Sequence, residues 1–443
     1  MGLPKIVDLF SGCGGLTLGF LKAGFPIAVG IELMPEACRT LEANCYWRYG
    51  MKSSHICGDI TKISVDSIKD KIDEDECIVI GGPPCQAYSL AGRAKLKSLG
   101  EDRVNVNDAR GYLYQDFLRF VKELKPKAVV MENVPESTDF GGINVPDTVC
   151  QVLSEDGYQT YWTILNSADY GVPQIRERIF VIALRKDVYK GEMLLPQPTN
   201  VHAEGNLSPH QRRLDSYKNS KYFKLPSLPT RDLPHWVSVE QAFADLPRIK
   251  PTLDTPYRKY ELNIELPYSS LAMNEFQKEM RQWFGEDLNS VTGNAYRRND
   301  KDFQIFERMK PGDTYLEAVN LAMDILKDKA RQFDYSEDSE EYKKLKKKIV
   351  PVYSVEKFLN KWKRLDARKP SHTVVAHLCC DTYSHIHPWE GRGISVREAA
   401  RLQSFPDDFF FTCSMGDAFK QIGNAVPPLL AYGVAKTIRL MLN

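Results

Sequence analysis

The sequence predicts a doubly wound α/β fold with a mostly parallel central sheet, accompanied by a smaller and irregular second domain. Over residues 5–184, short apolar runs alternate with helix-like stretches, which is the pattern of βαβ units. Two of the runs, at 77–82 and 128–134, are nearly all apolar, as strands buried on both faces should be. Polar residues that could bind a ligand or take part in catalysis follow the strands, at the edge where such sheets bind their ligands.

The individual elements can be assigned in chain order. The first strand is KIVDLF, the following helix is GLTLGFLKAG and ends at Gly24, the second strand is IAVGIE, and another helix opens at Pro35. CIVIGG, AVVMENV and RIFVIAL are later strands, the last of them at 178–184. NAVPPLLAYGVAKTIRLML closes the chain as a helix.

Composition indicates a cytoplasmic globular protein. The 443 residues carry a formal net charge of +1, and the 10 cysteines are irregularly spaced without a CxxC pair, so we expect reduced thiols rather than disulfides. Neither a run of about 18 apolar residues nor a secretory signal is present, so we expect no membrane span. Residues 190–370 are rich in proline, tyrosine and charge with weak periodicity, which predicts a separate irregular domain.

A ligand containing a nucleoside fits the first part of the chain. DLFSGCGG at 8–15 joins a strand to a helix, so its glycines allow a close backbone approach and the helix start offers free amides. The motif lacks GxGxxG spacing, which argues against a dinucleotide. Glu32 ends the second strand, where an acidic side chain can hold ribose hydroxyls, and Asp59 can accept from an adenine amino group. S-adenosylmethionine is one ligand that satisfies these points.

The stretch GGPPCQAYS at 81–89 presents a cysteine in an unusual setting. Two glycines and two prolines directly before Cys85 fix the backbone and allow close approach, so a buried structural thiol is the less favoured interpretation. Glu132 ends the fifth strand after AVVM, where protection from water would let it hold a proton. QIRER at 174–178 adds two arginines before another buried strand.

A thiol, a carboxyl and arginines beside a methyl-donor site suggest methylation of a poor nucleophile such as C5 of cytosine. Addition of a thiolate to C6 turns C5 into an enamine carbon that can take a methyl group. A carboxylic acid at N3 and an arginine at O2 would limit the build-up of charge on the ring.

These motifs together resemble the cytosine-C5 DNA methyltransferase family, of the bacterial restriction-modification type. The resemblance covers residues 8–428 in the order of the family's motifs: DLFSGCGG, GGPPCQAYS, ENV, QIRER, REAARLQSFPDDF (397–409) and QIGNAVPP (421–428). It implies a Rossmann-like, S-adenosylmethionine-dependent catalytic domain over 1–187, completed by 417–443, and a target-recognition domain over 188–416.

The resemblance also implies a role for each matching position. Cys85 is expected to be the nucleophile, Glu132 the N3 acid, Arg178 a contact to cytosine and Arg176 a support for the site. The expected cofactor contacts are Phe10 on the adenine, Glu32 on the ribose, Asp59 on the adenine edge, Pro84 over the cofactor and Asn424 by its methionine end, together with Gly12, Gly14 and Ile60.

The sequence departs from the family pattern in places. Tyr88 replaces the usual phenylalanine, and NDARGYLYQDF at 107–117 differs from the usual pattern, so the anchoring of the loop after Cys85 is open. The segment 371–388 holds four of the eight histidines and two adjacent cysteines, but its spacing fits no common zinc site. We expect no metal there and favour contacts to DNA.

The predicted activity is transfer of a methyl group from S-adenosylmethionine to C5 of a cytosine in a specific double-stranded DNA sequence, with base flipping and a covalent Cys85–C6 adduct. The alternatives are a tRNA cytosine-C5 methyltransferase and a catalytically silent DNA-binding regulator. We expect a monomer in the bacterial cytoplasm, associated with the nucleoid through DNA, and a cognate restriction endonuclease as a potential partner. The polar stretch 86–111 is expected to close over an extruded cytosine.

Overall fold

The structure is a computed structural model that describes residues 2–48, 54–72, 77–84, 112–203, 213–249, 261–285, 287–298, 301–352 and 361–442. The chain forms two compact units. The first contains Met1–Trp236, Gln403–Phe405 and Ala425–Asn443, and the second contains Val237–Leu402 and Pro406–Asn424.

The first unit is built on a sheet of seven strands among the described residues. Their order across the sheet is β3-β2-β1-β4-β5-β7-β6. The first five strands run parallel, and β7 is antiparallel to both β5 and β6. This arrangement confirms the predicted doubly wound, mostly parallel fold. The strands are β1 (Lys5–Leu9), β2 (Ile27–Glu32), β3 (Ser54–Cys57), β4 (Cys77–Gly81), β5 (Ala128–Asn133), β6 (Tyr158–Asn166) and β7 (Glu177–Arg185).

Helices connect the strands as the alternating sequence pattern predicts. Helix α1 ends at Lys22, and Gly24 just beyond it has a φ of +93°, a left-handed value that glycine tolerates and that stops a helix. The helices of this part are α1 (Gly15–Lys22), α2 (Pro35–Glu42), α3 (Asp66–Lys69), α4 (Leu113–Leu124) and α5 (Val145–Glu155). Helix α2 continues as a π-helical segment, Ala43–Arg48, and 3₁₀ turns lie at Ile60–Lys62, Pro135–Thr138 and Ser167–Tyr170.

The core between the sheet and one helix layer explains why the predicted strands are nearly all apolar. Val79, Val129 and Val181 on three neighbouring strands have no exposed surface. Phe117 and Phe120 of α4 pack into the same cluster. Burial of both faces fixes the strand register, so the carboxyl ends of β1, β2, β4 and β5 meet at one edge of the sheet.

The first unit extends well beyond residue 187, where the sequence analysis divided the chain. The Trp162 amide donates to the Tyr222 carbonyl at 2.9 Å. The Trp236 indole Nε1 donates to Asp169 Oδ1 at 2.8 Å, which ties this later stretch to the end of β6. The proline-rich composition after 190 therefore marks irregular chain that packs on the sheet domain, and the compact second unit begins at Val237.

The second unit is mostly helical, with a two-stranded sheet formed by β8 (Leu266–Pro267) and β9 (Ser290–Val291). Its helices are α6 (Val239–Phe243), α7 (Glu275–Arg281), α8 (Phe303–Arg308), α9 (Tyr315–Gln332), α10 (Glu340–Ile349), α11 (Val396–Leu402) and α12 (Met415–Asn424). Its 3₁₀ turns lie at Glu261–Asn263, Ala376–Cys379 and Tyr383–His385. A second apolar cluster joins α8, α9 and α10 to Trp362 and Ile386.

Buried ion pairs organise the region of the second unit around α11. Arg401 is fully buried, and its guanidinium bonds to Asp407 at 2.5 Å and to Asp245 at 3.1 Å. Arg281 donates to the same Asp245 at 2.9 Å. Because a buried charge without a partner is strongly destabilising, Arg401 and Asp407 of the motif REAARLQSFPDDF, together with Asp245 and Arg281, support the packing of this unit.

The closing helix α13 (Pro428–Leu442) returns to the first unit and lies against α1. Two glycines permit the close approach. A Cβ at Gly15 would lie 2.2 Å from the Val426 carbonyl oxygen, and one at Gly19 would lie 2.5 Å from the Tyr432 amide nitrogen. Across the described ranges, no helix is both long and apolar enough to cross a membrane.

Candidate active site

The loop after β1 adopts a conformation suited to close backbone contact with a ligand. Phe10, Gly12 and Gly14 all have left-handed φ values, of 61°, 55° and 98°. Such a value is strained for phenylalanine and persists only where neighbouring contacts enforce it. A Cβ built on Gly12 would meet nothing within 4 Å, so open space borders the loop at this position.

Glu32, at the end of β2, holds this loop in place. Its Oε2 accepts from the Gly12 amide at 2.9 Å, and its Oε1 accepts from the Met34 amide at 2.8 Å. Glu32 is predicted from the sequence to hold ribose hydroxyls, whereas these two backbone bonds were not predicted. Since each carboxylate oxygen can accept more than one hydrogen bond, the ribose role stays a prediction.

Asp59 follows β3 and caps the short turn Ile60–Lys62. Its Oδ1 accepts from the Thr61 amide at 3.1 Å and from the Thr61 hydroxyl at 2.8 Å. These bonds lower the pKa of Asp59, so the carboxylate is ionised at neutral pH. Ile60 beneath it is buried, and its carbonyl accepts from Arg119 at 2.8 Å. Asp59 is therefore an exposed acceptor on a fixed turn, and its contact to adenine stays a prediction.

The two glycines before the prolines have a clear structural reason. Gly81 ends β4, and a Cβ there would lie 2.2 Å from the Leu9 carbonyl oxygen. A Cβ at Gly82 would lie 2.9 Å from Glu132 Oε2. The chain after β4 therefore passes directly over the Glu132 carboxyl group, and any larger residue would displace one of the two.

The prolines that follow are held at the same edge. The Asn133 side-chain amide donates to the Pro83 carbonyl at 3.4 Å, and its oxygen accepts from the Val134 amide at 2.8 Å. Pro84 is half-buried, and its predicted place over the cofactor stays untested. Cys85 and the stretch 86–111 lie outside the described residues.

Glu132 and Arg178 form an ion pair largely shielded from solvent. The distance from Arg178 Nε to Glu132 Oε1 is 2.9 Å, and the two side chains are 13% and 12% exposed. Burial raises the pKa of Glu132, while Arg178 and Arg176 partly offset this rise. The net direction is upward, so the carboxyl group holds a proton more readily than an ordinary glutamate does.

Arg176 is almost completely buried and is fixed by backbone and side-chain contacts. Its Nη2 donates to the Ala425 carbonyl at 3.2 Å, and its amide donates to Asn166 Oδ1 at 3.3 Å. Arg176 also contributes positive charge near Glu132. These contacts support the expectation that Arg176 positions the site while Arg178 faces it.

Asn424, the remaining predicted cofactor contact, ends α12 in the second unit and is exposed. Its expected place beside the methionine end of the cofactor stays a prediction.

Asp8, which lies in β1 just before the glycine loop, is a further residue of this edge that was not among the predicted site residues. Asp8 is fully buried, Thr17 of α1 donates to its Oδ2, and its Oδ1 has no hydrogen-bond partner among the described residues. Burial raises the pKa of Asp8 to about 7. An aspartate inside a strand of apolar residues was the available signal, since buried carboxyl groups need a partner or a proton.

The fold and the arrangement of this edge define the class of protein. A mostly parallel seven-stranded sheet carries a glycine loop, two acidic acceptors near the ends of β2 and β3, and a shielded glutamate–arginine pair. This is the fold of S-adenosylmethionine-dependent methyltransferases. The chain is similar over 99% of its length, and 99% of the other chain, to the crystal structure of a DNA modification methyltransferase encoded within a prophage of Escherichia coli, with a TM-score of 0.65 and 23% identity. That likeness concerns the fold.

The family model described as C-5 cytosine-specific DNA methylase matches residues 4–440, and the chain belongs to this family. It is 51% identical to a protein of Oceanobacillus iheyensis named as a type II methyltransferase, M.OihORF3336P, over 99% of this chain and 95% of that one. It is 30% identical to the type II methyltransferase M.AgeI of Thalassovita gelatinovora, over 99% of this chain and 100% of that one. The resemblance read from the motifs is therefore confirmed, and the protein is a DNA cytosine-5 methyltransferase.

Proposed function

We propose that this enzyme transfers a methyl group from S-adenosylmethionine to C5 of a cytosine within a specific double-stranded DNA sequence. The observation that carries the proposal is the shielded Glu132–Arg178 pair beneath Gly82, three residues before Cys85 in the chain. Glu132, the proposed proton donor, and Arg178, the proposed cytosine contact, are thus adjacent to Gly82 of the motif GGPPCQAYS at one edge of the sheet.

The residues at the ends of β1, β2 and β3 fit the proposed cofactor. Open space borders Gly12, and the carboxylate oxygens of Glu32 and Asp59 lie on adjacent strand ends, where Cys57 pairs with Glu32. Phe10 in this loop would contact the adenine. Gly14 would allow the fold of the same loop, and Ile60 would fix the turn that carries Asp59. When bound, S-adenosylmethionine would supply an electrophilic methyl group on a sulfonium.

Catalysis would begin with the thiolate of Cys85. Its sulfur forms a bond to C6, and the electron pair of the C5–C6 double bond moves into the ring toward N3. The nucleophilic C5 would then take the methyl group as the sulfonium S–CH3 bond breaks and S-adenosylhomocysteine leaves. Transfer of the C5 proton to a water molecule, expulsion of the thiolate and return of the N3 proton to Glu132 would restore the aromatic ring. Covalent addition of this kind divides one difficult step into two easier ones.

Glu132 would hold the proton that N3 needs during the addition. Burial raises the pKa of Glu132, so its carboxyl group takes up a proton more readily than an ordinary glutamate does, and the adjacent Arg178 sets its orientation. The same arginine would donate to O2 of the cytosine. General acid catalysis of this type contributes about 10² to 10⁴ in rate.

The target base would have to leave the duplex, because C6 of a stacked cytosine is not accessible to a thiolate. The stretch 86–111 carries Arg93, Lys95 and Lys97, which are suited to phosphates, and we propose that it closes over the extruded base. The second unit, including its histidine-rich segment 371–388, would supply target recognition.

The two relatives named above are type II methyltransferases, and this chain would act in the same setting. A cognate restriction endonuclease would then share its target sequence. We propose that the enzyme works as a monomer on DNA in the bacterial cytoplasm.

The proposal is tested by radiolabelled methyl transfer to unmethylated DNA and to tRNA, with the wild type, Glu132→Gln and Glu136→Gln. The wild type and Glu136→Gln should label DNA, while Glu132→Gln should be slower by roughly 10² or more because it has no proton to give. All three should bind S-adenosylhomocysteine.

Labelling of tRNA alone would replace the proposal with a tRNA methyltransferase. Binding of DNA without any methyl transfer would identify a silent regulator. Sequencing of methylated DNA from an expressing host would name the target site.

A further inference from the structure

Three consecutive residues, Gln403–Phe405, belong to the first unit although the chain before and after them belongs to the second. All three are completely buried. They lie inside the motif REAARLQSFPDDF, to which the sequence analysis gave no catalytic role. A buried glutamine needs hydrogen-bond partners for both ends of its amide, so the partners of Gln403 show what it holds.

Gln403 connects two segments of the candidate active site. Its Oε1 accepts from the side-chain amide of Gln174 at 2.5 Å, and its Nε2 donates to the Ala425 carbonyl at 2.8 Å. The same carbonyl accepts from Arg176 Nη2 at 3.2 Å. Gln174 and Arg176 are both in QIRER, and Ala425 is in QIGNAVPP, so one side chain joins these two motifs.

The next residue fixes the position of Gln403. Ser404 has a φ of 58°, a left-handed value that costs energy outside glycine. Its hydroxyl accepts from the Leu429 amide at 3.1 Å and so caps the first turn of α13. The strained backbone and the cap together hold the Gln403 side chain between Gln174 and the Ala425 carbonyl.

We propose that Gln403 is a positioning residue for the methyl-transfer reaction, acting on Arg176 through the Ala425 carbonyl and through Gln174. It holds the buried guanidinium on the side of the site where Glu132 and Arg178 pair. The inference rests on the proposed roles of Glu132 and Arg176. Loss of the Gln403 side-chain bonds should slow the methyl-transfer step without changing cofactor binding by the loop after β1.

The test compares Gln403→Met with Gln277→Met. Methionine keeps the length of glutamine and removes both hydrogen bonds. Gln277 is a matched control because it is equally buried and also makes two bonds, accepting from the Met273 amide at 2.7 Å and donating to the Gln241 carbonyl at 2.9 Å. Both variants should lose similar thermal stability.

Single-turnover methylation by Gln403→Met should slow by about tenfold or more, the scale expected when a catalytic group is displaced by a fraction of an ångström. Its affinity for S-adenosylhomocysteine should stay within about twofold of the wild type, since the bonds of the Gln403 side chain do not involve the predicted cofactor residues after β1, β2 and β3. Gln277→Met should keep the wild-type rate. Gln174→Met should reproduce the Gln403→Met defect and provides a second variant if Gln403→Met does not fold.

A double-mutant cycle with Arg176→Lys separates positioning from general disturbance. If Gln403 acts through Arg176, adding Gln403→Met to Arg176→Lys should slow the single-turnover rate by less than about twofold further. Full additivity would overturn the proposal, as would a wild-type rate in Gln403→Met or an equal loss of cofactor affinity. If Glu132→Gln and Arg176→Lys instead keep full activity, the proposed function of those residues has failed, which is a distinct result.

Discussion

At the scale of single residues, the candidate active site depends on close packing between the chain after β4 and the Glu132 side chain. Gly82 is the sharpest case, because its missing side chain leaves the space that the Glu132 carboxyl group occupies. The motif GGPPC therefore does more than display a thiol. Its second glycine lets the chain after β4 pass the proposed proton donor at close range, so a larger residue here would displace the Glu132 carboxyl group.

Replacing Gly82 with alanine should impair chemistry rather than binding. The new methyl group would lie 2.9 Å from Glu132 Oε2 and push the carboxyl group away from Arg178. We expect the single-turnover methylation rate to fall about tenfold to a hundredfold, with unchanged affinity for S-adenosylhomocysteine.

Gly416→Ala is the control for Gly82→Ala, since its Cβ would make only ordinary contacts of 3.7 Å and beyond. Equal rates for Gly82→Ala and Gly416→Ala would contradict the close packing of Gly82 on Glu132.

Asp8 gives the protein a predictable response to pH. Burial raises the pKa of Asp8 to about 7 in the folded state, against a value near 4 for an unfolded chain. The folded state therefore binds this proton more tightly, so its stabilising effect is complete below about pH 4 and is lost as the pH rises through about 7. Asp8→Asn removes the titrating group and should retain the contact with Thr17.

Urea unfolding from pH 5 to pH 8 measures this effect. The free energy of unfolding of the wild type should fall relative to that of Asp8→Asn across this range. A difference in the free energy of unfolding that stays constant from pH 5 to pH 8 would show that Asp8 neither gains nor loses a proton on unfolding in this range.

At the scale of elements, the sequence predicted five of the seven described strands of the main sheet, because burial on both faces leaves an apolar signal, but β6 was not assigned. KIVDLF, IAVGIE, CIVIGG, AVVMENV and RIFVIAL all coincide with observed strands to within a residue or two. The acceptors at the strand ends were also identified. Their actual partners were not, because the bond from Gly12 to Glu32 spans 20 residues and leaves no local pattern. The same holds for Gln403 and Gln174, which are 229 residues apart.

The contact between α1 and α13 should be sensitive to a single methyl group. Gly19→Ala places a Cβ 2.5 Å from the Tyr432 amide nitrogen and 2.4 Å from the Ala431 side chain. Alanine normally favours a helix over glycine, so destabilisation here can only arise from this contact. We expect a loss of about 1–3 kcal/mol in the free energy of unfolding, which is the usual cost of overpacking.

Chemical denaturation of Gly19→Ala beside Gly416→Ala checks the prediction. Gly416 is also helical and has room for a methyl group. A Gly19→Ala protein as stable as the wild type would show that the two helices can separate without cost.

At the scale of the whole molecule, composition was a poor guide to where one compact unit ends. Residues 190–236 look irregular in the sequence, yet the described residues Tyr222 and Trp236 bond to Trp162 in β6 and to Asp169 just after it. Such packing depends on which aromatic side chains meet, and a single sequence does not reveal that. The order of the motifs did reveal the family, because chemistry constrains residues at strand ends more strongly than packing constrains a boundary.

The proposed mechanism requires that one cysteine, Cys85, attacks the target base. DNA in which 5-fluorocytosine replaces the target cytosine cannot release its C5 substituent as a proton, so the Cys85–C6 bond should persist as an isolable adduct in the presence of S-adenosylmethionine. Peptide mapping by mass spectrometry should place the DNA on Cys85, with no adduct from Cys85→Ser and a normal yield from the control Cys413→Ser, a free cysteine outside the proposed site. An adduct on any other cysteine, or an adduct from Cys85→Ser, would contradict the account.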